Sequence, residues 1–138
     1  MRLPGRLERV REEPLEIWDG AHNLGGVGYL LGRLPSVRYV VVASVLADKD
    51  VEGMVAALSV LGSRFIATTS SSRRALSAAD LAERAARYFA AVEAVDDPAE
   101  AVLRARALGE PVLVTGSLYL LADLAKDESR RWRTLATG

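Results

Sequence analysis

The 138 residues carry 18 basic and 18 acidic side chains and a single histidine, for a formal net charge of zero. Neither the basic footprint of a nucleic-acid binder nor an acidic interaction tail is present. With no cysteine, a disulfide framework, a thiolate metal site and a cysteine nucleophile are excluded together, and one histidine is too few for a histidine-rich metal site.

In chain order, Leu7-Glu8-Arg9-Val10 and Leu15-Glu16-Ile17-Trp18 flank the charged turn Arg11-Glu12-Glu13-Pro14 and predict a hairpin. A glycine-rich loop from Gly20 to Gly28 follows. Val27, Leu30, Leu31 and Leu34 then recur at helical spacing until Pro35 stops them. The run Val37 to Ala43 is β-branched and almost continuously apolar, as a strand covered on both faces should be. Asp50 is placed to cap a helix with the core stripe Val51, Met54, Val55, Leu58 and Leu61, ended by Gly62. Arg64 to Thr68 is the next strand, and Thr69 to Arg74 a polar loop. Ser77 and Asp80 mark a helix start whose face is Leu81, Ala85, Tyr88 and Phe89. Ala91 to Val95 is a short strand. Asp97-Pro98 caps a helix carrying Ala101, Val102, Ala105 and Leu108. Pro111 to Thr115 is the last strand, and Gly116-Ser117 opens a final helix to about Ala125.

A hairpin followed by alternating strands and helices predicts a single three-layer, Rossmann-like α/β domain over residues 1–126. Its sheet is mostly parallel, with helices on both faces and an antiparallel amino-terminal hairpin. Residues 127–138 read as a polar, frayed tail. No apolar run approaches the roughly 18–20 residues needed to cross a bilayer. The arginine-rich start, Met1 to Val10, lacks the apolar region of a signal peptide. The expectation is a soluble, cytoplasmic protein with no membrane or nucleic-acid partner.

In an open α/β sheet, ligands bind beyond the carboxyl ends of the strands. Three loops fall there: Asp19 to Asn23, Leu46 to Asp50, and Thr115 to Ser117. Each leads into a helix start, where free backbone N–H groups favour an anion. Gly26-Val27-Gly28 with Asp48 about twenty residues on suggests a dinucleotide fingerprint, but Leu31 stands at the third glycine position and is too bulky for it. The only lysines, Lys49 and Lys126, do not follow the glycine spacing of a phosphate loop.

The segments Leu3-Pro4-Gly5-Arg6-Leu7-Glu8, Asp19-Gly20-Ala21-His22-Asn23, Leu46-Ala47-Asp48-Lys49-Asp50, Arg74-Ala75-Leu76 and Val114-Thr115-Gly116-Ser117-Leu118-Tyr119 occur in that order. The set resembles the third, carboxy-terminal domain of the folylpolyglutamate synthase and dihydrofolate synthase family, within the Mur ligase superfamily. The resemblance covers Leu3 to about Ala125. The chain departs from the family pattern at Leu3, Leu24 and Ser44, where tryptophan, proline and glycine are usual. None of the three removes a charged group.

The resemblance implies an ATP-dependent ligase that joins glutamate to folate or dihydropteroate through an acyl phosphate. The phosphate loop and magnesium ligands would belong to a preceding ATPase domain of the same parent, so this domain alone should be inactive. It implies Arg6 on the ATP phosphates, where a guanidinium binds oxygens bidentately; a solvated strand arginine is the plainer alternative. It implies Asp19 on the nucleotide, at the ribose hydroxyls, against an Asx-turn in the glycine loop. His22 is assigned to the active site, orienting, stabilising charge or acting as a base. Ser117 with the Gly116 backbone is assigned to the incoming glutamate, against a simple helix cap. No metal site is assigned: Asp48, Lys49 and Asp50 mix charges, so loop order, interface ion pairs or, for Asp50, a helix cap is expected. Arg73 and Arg74 are either solvated or placed to meet a glutamate tail. The rival readings are a cell-wall Mur peptide ligase domain and a free-standing nucleotide-binding module.

Overall fold

The computed structural model describes residues 6–137, and side chains up to Asp127. Leu3, Pro4 and Gly5 of the first motif lie outside the described residues, as does Gly138.

Six strands form one sheet: β1 (Glu8–Glu12), β2 (Leu15–Trp18), β3 (Val40–Ala43), β4 (Arg64–Ala67), β5 (Ala91–Ala94) and β6 (Val112–Thr115). Their order is β1-β2-β6-β3-β4-β5. Only the β1–β2 pair is antiparallel. The predicted mostly parallel sheet with an antiparallel hairpin at its edge is what forms. The register shifts between Arg9 and Arg11, so Val10 is the extra residue of a bulge on the exposed edge strand, a common way to blunt an edge.

The helices are α1 (Leu24–Leu31), α2 (Val51–Leu58), α3 (Ala78–Ala85), α4 (Pro98–Ala107) and α5 (Leu118–Thr137), with a 3₁₀ turn at Ser59–Leu61. Helices α1 to α4 start on side-chain caps. Asn23, Asp50, Ser77 and Asp97 accept from the N–H groups of Gly26, Gly53, Asp80 and Glu100, each satisfying a donor the helix itself cannot. Asp50 is therefore the cap its position suggested.

Alternation along the strands builds two cores. Ile17, Val41, Phe65 and Leu113 face Val27 and Leu30 of α1, Met54, Val55 and Leu58 of α2, and Leu81 and Ala85 of α3. Trp18, Val40, Val42, Ile66, Val112 and Val114 face Ala101, Val102 and Ala105 of α4 and Leu120, Leu121 and Leu124 of α5. Both faces of the central strands are thus dry, which is why their sequences read as continuous apolar runs.

Four local expectations change. Helix α1 begins at Leu24, inside the stretch read as a glycine-rich loop, because Asn23 caps it there. The strand predicted from Val37 begins only at Val40. The Tyr39 N–H turns instead to the Leu61 carbonyl, and Val37 is exposed. Gly62 lies where an added Cβ would overlap the Tyr39 carbonyl oxygen, so this approach requires glycine. Tyr88 and Leu108, predicted on apolar helix faces, are exposed beyond the ends of α3 and α4. Finally, α5 continues past Ala125 to Thr137.

One polar contact crosses the second core. Glu16 of β2 is 1% exposed and takes two hydrogen bonds from Arg106 of α4, at 2.8 and 2.9 Å, plus one from the Trp18 indole at 2.9 Å. It fixes the edge of the sheet that leads into the first ligand-side loop.

Candidate functional site

The chain leaves β2 into α1 on one face of the sheet and leaves the adjacent β6 into α5 on the other. Between two such neighbours the departing loops diverge and leave a crevice at the carboxyl edge. A cavity of about 570 Å³ opens there, lined by Arg6, Leu7, Asp19, Gly20, Ala21, His22, Gly26, Tyr29, Leu30, Arg33 and Leu118. That size is usual for a small-ligand site.

Backbone ties between the two loops set its shape. The Asp19 N–H donates to the Val114 carbonyl at 2.9 Å, and the Gly116 N–H to the Ala21 carbonyl at 3.0 Å. Gly116 has φ +106, and a Cβ there would overlap the Ser44 carbonyl oxygen. Only glycine allows β6 to turn so close to the end of β3.

Arg6, from the first segment, and Asp19 and His22, from the second, therefore come together in one cavity. Asp19 has a structural task as well. Its Oδ1 accepts from the Leu7 N–H and its Oδ2 from the Ala21 N–H, both at 2.9 Å. The second bond is the Asx-type turn. The first holds Leu7 at φ +47 and so fixes the backbone beside Arg6. A carboxylate oxygen has two lone pairs, so each can still accept a bond from a ligand.

His22 is exposed, and its Nδ1 lies 3.0 Å from the Gly20 carbonyl oxygen. A carbonyl only accepts, so Nδ1 carries the proton. In the neutral ring Nε2 is left as an acceptor, and in the charged ring as a donor.

Ser117 sits differently. It is 1% exposed, does not line the cavity, and its Oγ accepts from the Tyr119 N–H at 3.1 Å. It caps α5, and its neighbour Leu118 forms the cavity wall. The four assigned side chains do not share one open rim: three line the cavity, and Ser117 lies buried behind it.

The other marked charges order loops. Arg74 Nη1 donates to Asp48 Oδ2 at 3.0 Å, and the Arg74 carbonyl accepts from the Ala47 N–H at 2.7 Å. The Tyr119 hydroxyl, and after it Asp48, hold the Arg74 guanidinium above its ordinary pKa. Arg74 thus joins the loops after β3 and β4 to the start of α5. Among the described residues, no three histidine, aspartate or glutamate side chains are grouped to hold a metal ion. No described helix is long and apolar enough to cross a membrane.

Two lining residues escaped the sequence reading, Tyr29 and Arg33. The Arg33 guanidinium carbon stands 3.8 Å from the Tyr29 ring centroid. The available signal was the spacing His22, Gly26, Tyr29, Arg33, one face of a helix. The apolar stripe through Val27 and Leu30 masked it.

The fold and its switch-point cavity, lined by Arg6, Asp19, His22 and Arg33, define an α/β domain with a polar ligand-sized site at the carboxyl edge of its sheet. The chain belongs to the Mur ligase family: the model of its glutamate ligase domain matches residues 5–118. The chain is 42% identical over 90 residues to the dihydrofolate synthase/folylpolyglutamate synthase of Mycobacterium tuberculosis (strain ATCC 25618 / H37Rv), covering 62% of this chain and 18% of that protein. It is 35% identical over 130 residues to the protein of the same name from Bacillus subtilis (strain 168), covering 89% of this chain and 30% of that one. A crystal structure of Mycobacterium tuberculosis folylpolyglutamate synthase complexed with ADP and AMPPCP superimposes with a TM-score of 0.82 at 32% identity, covering 91% of this chain and 32% of the other. The chain thus spans less than a third of the length of these relatives.

Proposed function

We propose that this chain is the carboxy-terminal domain of an ATP-dependent ligase that adds glutamate to folate or dihydropteroate. The observation that carries the reading is the convergence of Arg6, Asp19 and His22 in one switch-point cavity. The likeness to synthases of that name supports it. In the reaction, the terminal phosphoryl group of ATP passes to a substrate carboxylate, giving ADP and an acyl phosphate. The glutamate amine then attacks the acyl carbon, phosphate leaves, and the amine proton is lost to a base.

The cavity fits the nucleotide part of this chemistry. Arg6 binds phosphate oxygens and offsets charge during transfer. Asp19 accepts from the ribose hydroxyls with its remaining lone pairs. His22, with Nδ1 committed to Gly20, presents Nε2 to the phosphates or to the attacking amine. Ser117 and the Gly116 backbone serve the glutamate carboxylate from the start of α5; since Ser117 is buried, its hydroxyl acts by holding that loop and reaches the ligand only if the loop opens. Magnesium and the phosphate loop are assigned to a preceding ATPase domain, and the parent enzyme to the cytoplasm.

The test is titration of the chain with ADP, followed by amide NMR. Shifts should concentrate at residues 19–22, and Arg6→Ala or Asp19→Ala should weaken binding about ten-fold or more, the value of a lost charge-assisted contact. The chain alone should show no sustained ATP turnover. Shifts spread away from the cavity, or turnover by the isolated chain, would overturn the assignment.

A further inference from the structure

We infer that Tyr29 and Arg33 form a stacking platform for the nucleobase, at the end of the cavity remote from His22. This rests on the nucleotide reading above and deepens it.

Helix α1 runs along the cavity wall, with His22 just before its first residue and Arg33 just after its last turn. Eight residues of helix extend about 12 Å. A ligand touching both ends must therefore be elongated, as a nucleotide is, with its anionic part and its flat base at opposite ends. The His22 end suits the anion. It carries the histidine and the helix amino terminus.

The Arg33 end is built differently. Tyr29 lies in the last turn of α1, and Arg33, four residues on, lies in the turn that follows the helix and folds back over it. Tyr29 is 64% exposed although it lines a cavity. The Arg33 guanidinium lies at cation–π distance from its ring and makes no ion pair among the described residues. Leu30 and Leu118 add apolar surface to the same cavity. An open aromatic face, a planar cation held against it and aliphatic walls are the elements that bind a base by stacking. Because every base has a π face, the platform gives affinity without selecting among bases.

The experiment separates base from phosphate. The 138-residue chain is titrated by NMR with ADP and with inorganic triphosphate, as wild type, Tyr29→Ala, Tyr29→Phe and Arg33→Ala. Stacking on one base predicts roughly a 5- to 150-fold loss of ADP affinity in Tyr29→Ala, with near wild-type affinity in Tyr29→Phe. Triphosphate affinity should not change in either Tyr29 variant, and ADP should shift the Tyr29 ring protons of the wild type upfield. Arg33→Ala should weaken ADP but leave triphosphate within about two-fold. The inference is overturned if Tyr29→Ala binds ADP normally, or if Arg33→Ala loses triphosphate as much as ADP, which would make Arg33 a phosphate ligand. In both cases wild-type shifts at residues 19–22 would leave the nucleotide reading standing. Absence of any ADP response in the wild type would end both.

Discussion

Removing the Arg106 side chain tests whether the buried ion pair holds the sheet edge on which the site depends. Glu16 is 1% exposed, and both its oxygens accept from Arg106, with the Trp18 indole as a third donor. Arg106→Leu keeps apolar bulk on α4 but strands a carboxylate in a dry core. Loss of one partner of a buried pair costs about 3–5 kcal/mol. The Arg106 side chain is 17% exposed, so some water reaches the pair and the lower end, about 3 kcal/mol, is expected. That is a large part of the roughly 5–15 kcal/mol that holds a domain together. In a thermal scan it corresponds to a fall of about 10 °C in Tm for a chain of this size. Urea denaturation of the single variant gives the cost directly. The second arm adds Glu16→Gln, which keeps an acceptor for the Trp18 indole and removes the unpaired charge. It should recover about 2 kcal/mol, because an amide is far cheaper to bury than a carboxylate. A single-variant cost under about 1 kcal/mol, or no recovery in the double variant, would show that solvent already screens the pair and refute the reasoning.

Two further outcomes follow from the geometry. Gly116→Ala must place a Cβ against the Ser44 carbonyl at φ +106, so it should destabilise the fold by at least about 1–3 kcal/mol of backbone strain, read by urea denaturation, and broaden the amide signals of residues 19–22. Tyr39 is buried, donates to the Pro35 carbonyl, and has a pKa raised above its usual value near 10 by burial, with Arg9 opposing. Its contribution is therefore complete below about pH 10, where the unfolded tyrosine is still protonated, and is lost as pH rises from there through the folded pKa. Stability of the wild type should fall more steeply above that pH than that of Tyr39→Phe, and equal slopes would refute the burial argument.

What could be read from sequence was whatever a short segment decides for itself. Asp50, Ser77 and Asp97 each cap within three residues, so those helix starts were legible; α1 starts on Asn23 inside what read as a glycine-rich loop. The covered strands were legible because burial on both faces leaves an uninterrupted apolar run, as in Val40–Ala43. Contacts between distant segments were not. Glu16 and Arg106 are 90 positions apart, and nothing in either segment announces the other. The start of β3 shifted because Tyr39 pairs with Leu61 across a turn. The polar run after Ala125 has no apolar period to distinguish a helix from a loose end. At the site, the loop after β2 was legible because the carboxyl edge of a parallel sheet gathers such loops, whatever their sequences; the loop Leu46 to Asp50, marked on the same ground, does not line the cavity. The burial of Ser117 was not, because it depends on how tightly β6 turns against Ser44.

The cavity also shows why structural and functional readings of a residue need not compete. Asp19 forms the Asx-type turn expected of any loop aspartate, and through the same carboxylate it fixes Leu7 and the backbone beside Arg6. His22 spends one ring nitrogen on the Gly20 carbonyl, and that bond decides what the other nitrogen can do. Asn23 caps the helix that carries Tyr29 and leads to Arg33. In each case the bond that folds the loop also aims the group that would meet the ligand, so the proposed nucleotide would find little to rearrange. The corollary is that loss of binding in an Asp19 variant cannot by itself separate a lost ligand contact from a misplaced Arg6. The distinction lies in comparing ligands: a ribose contact is felt by ADP and not by triphosphate, whereas a displaced Arg6 weakens both.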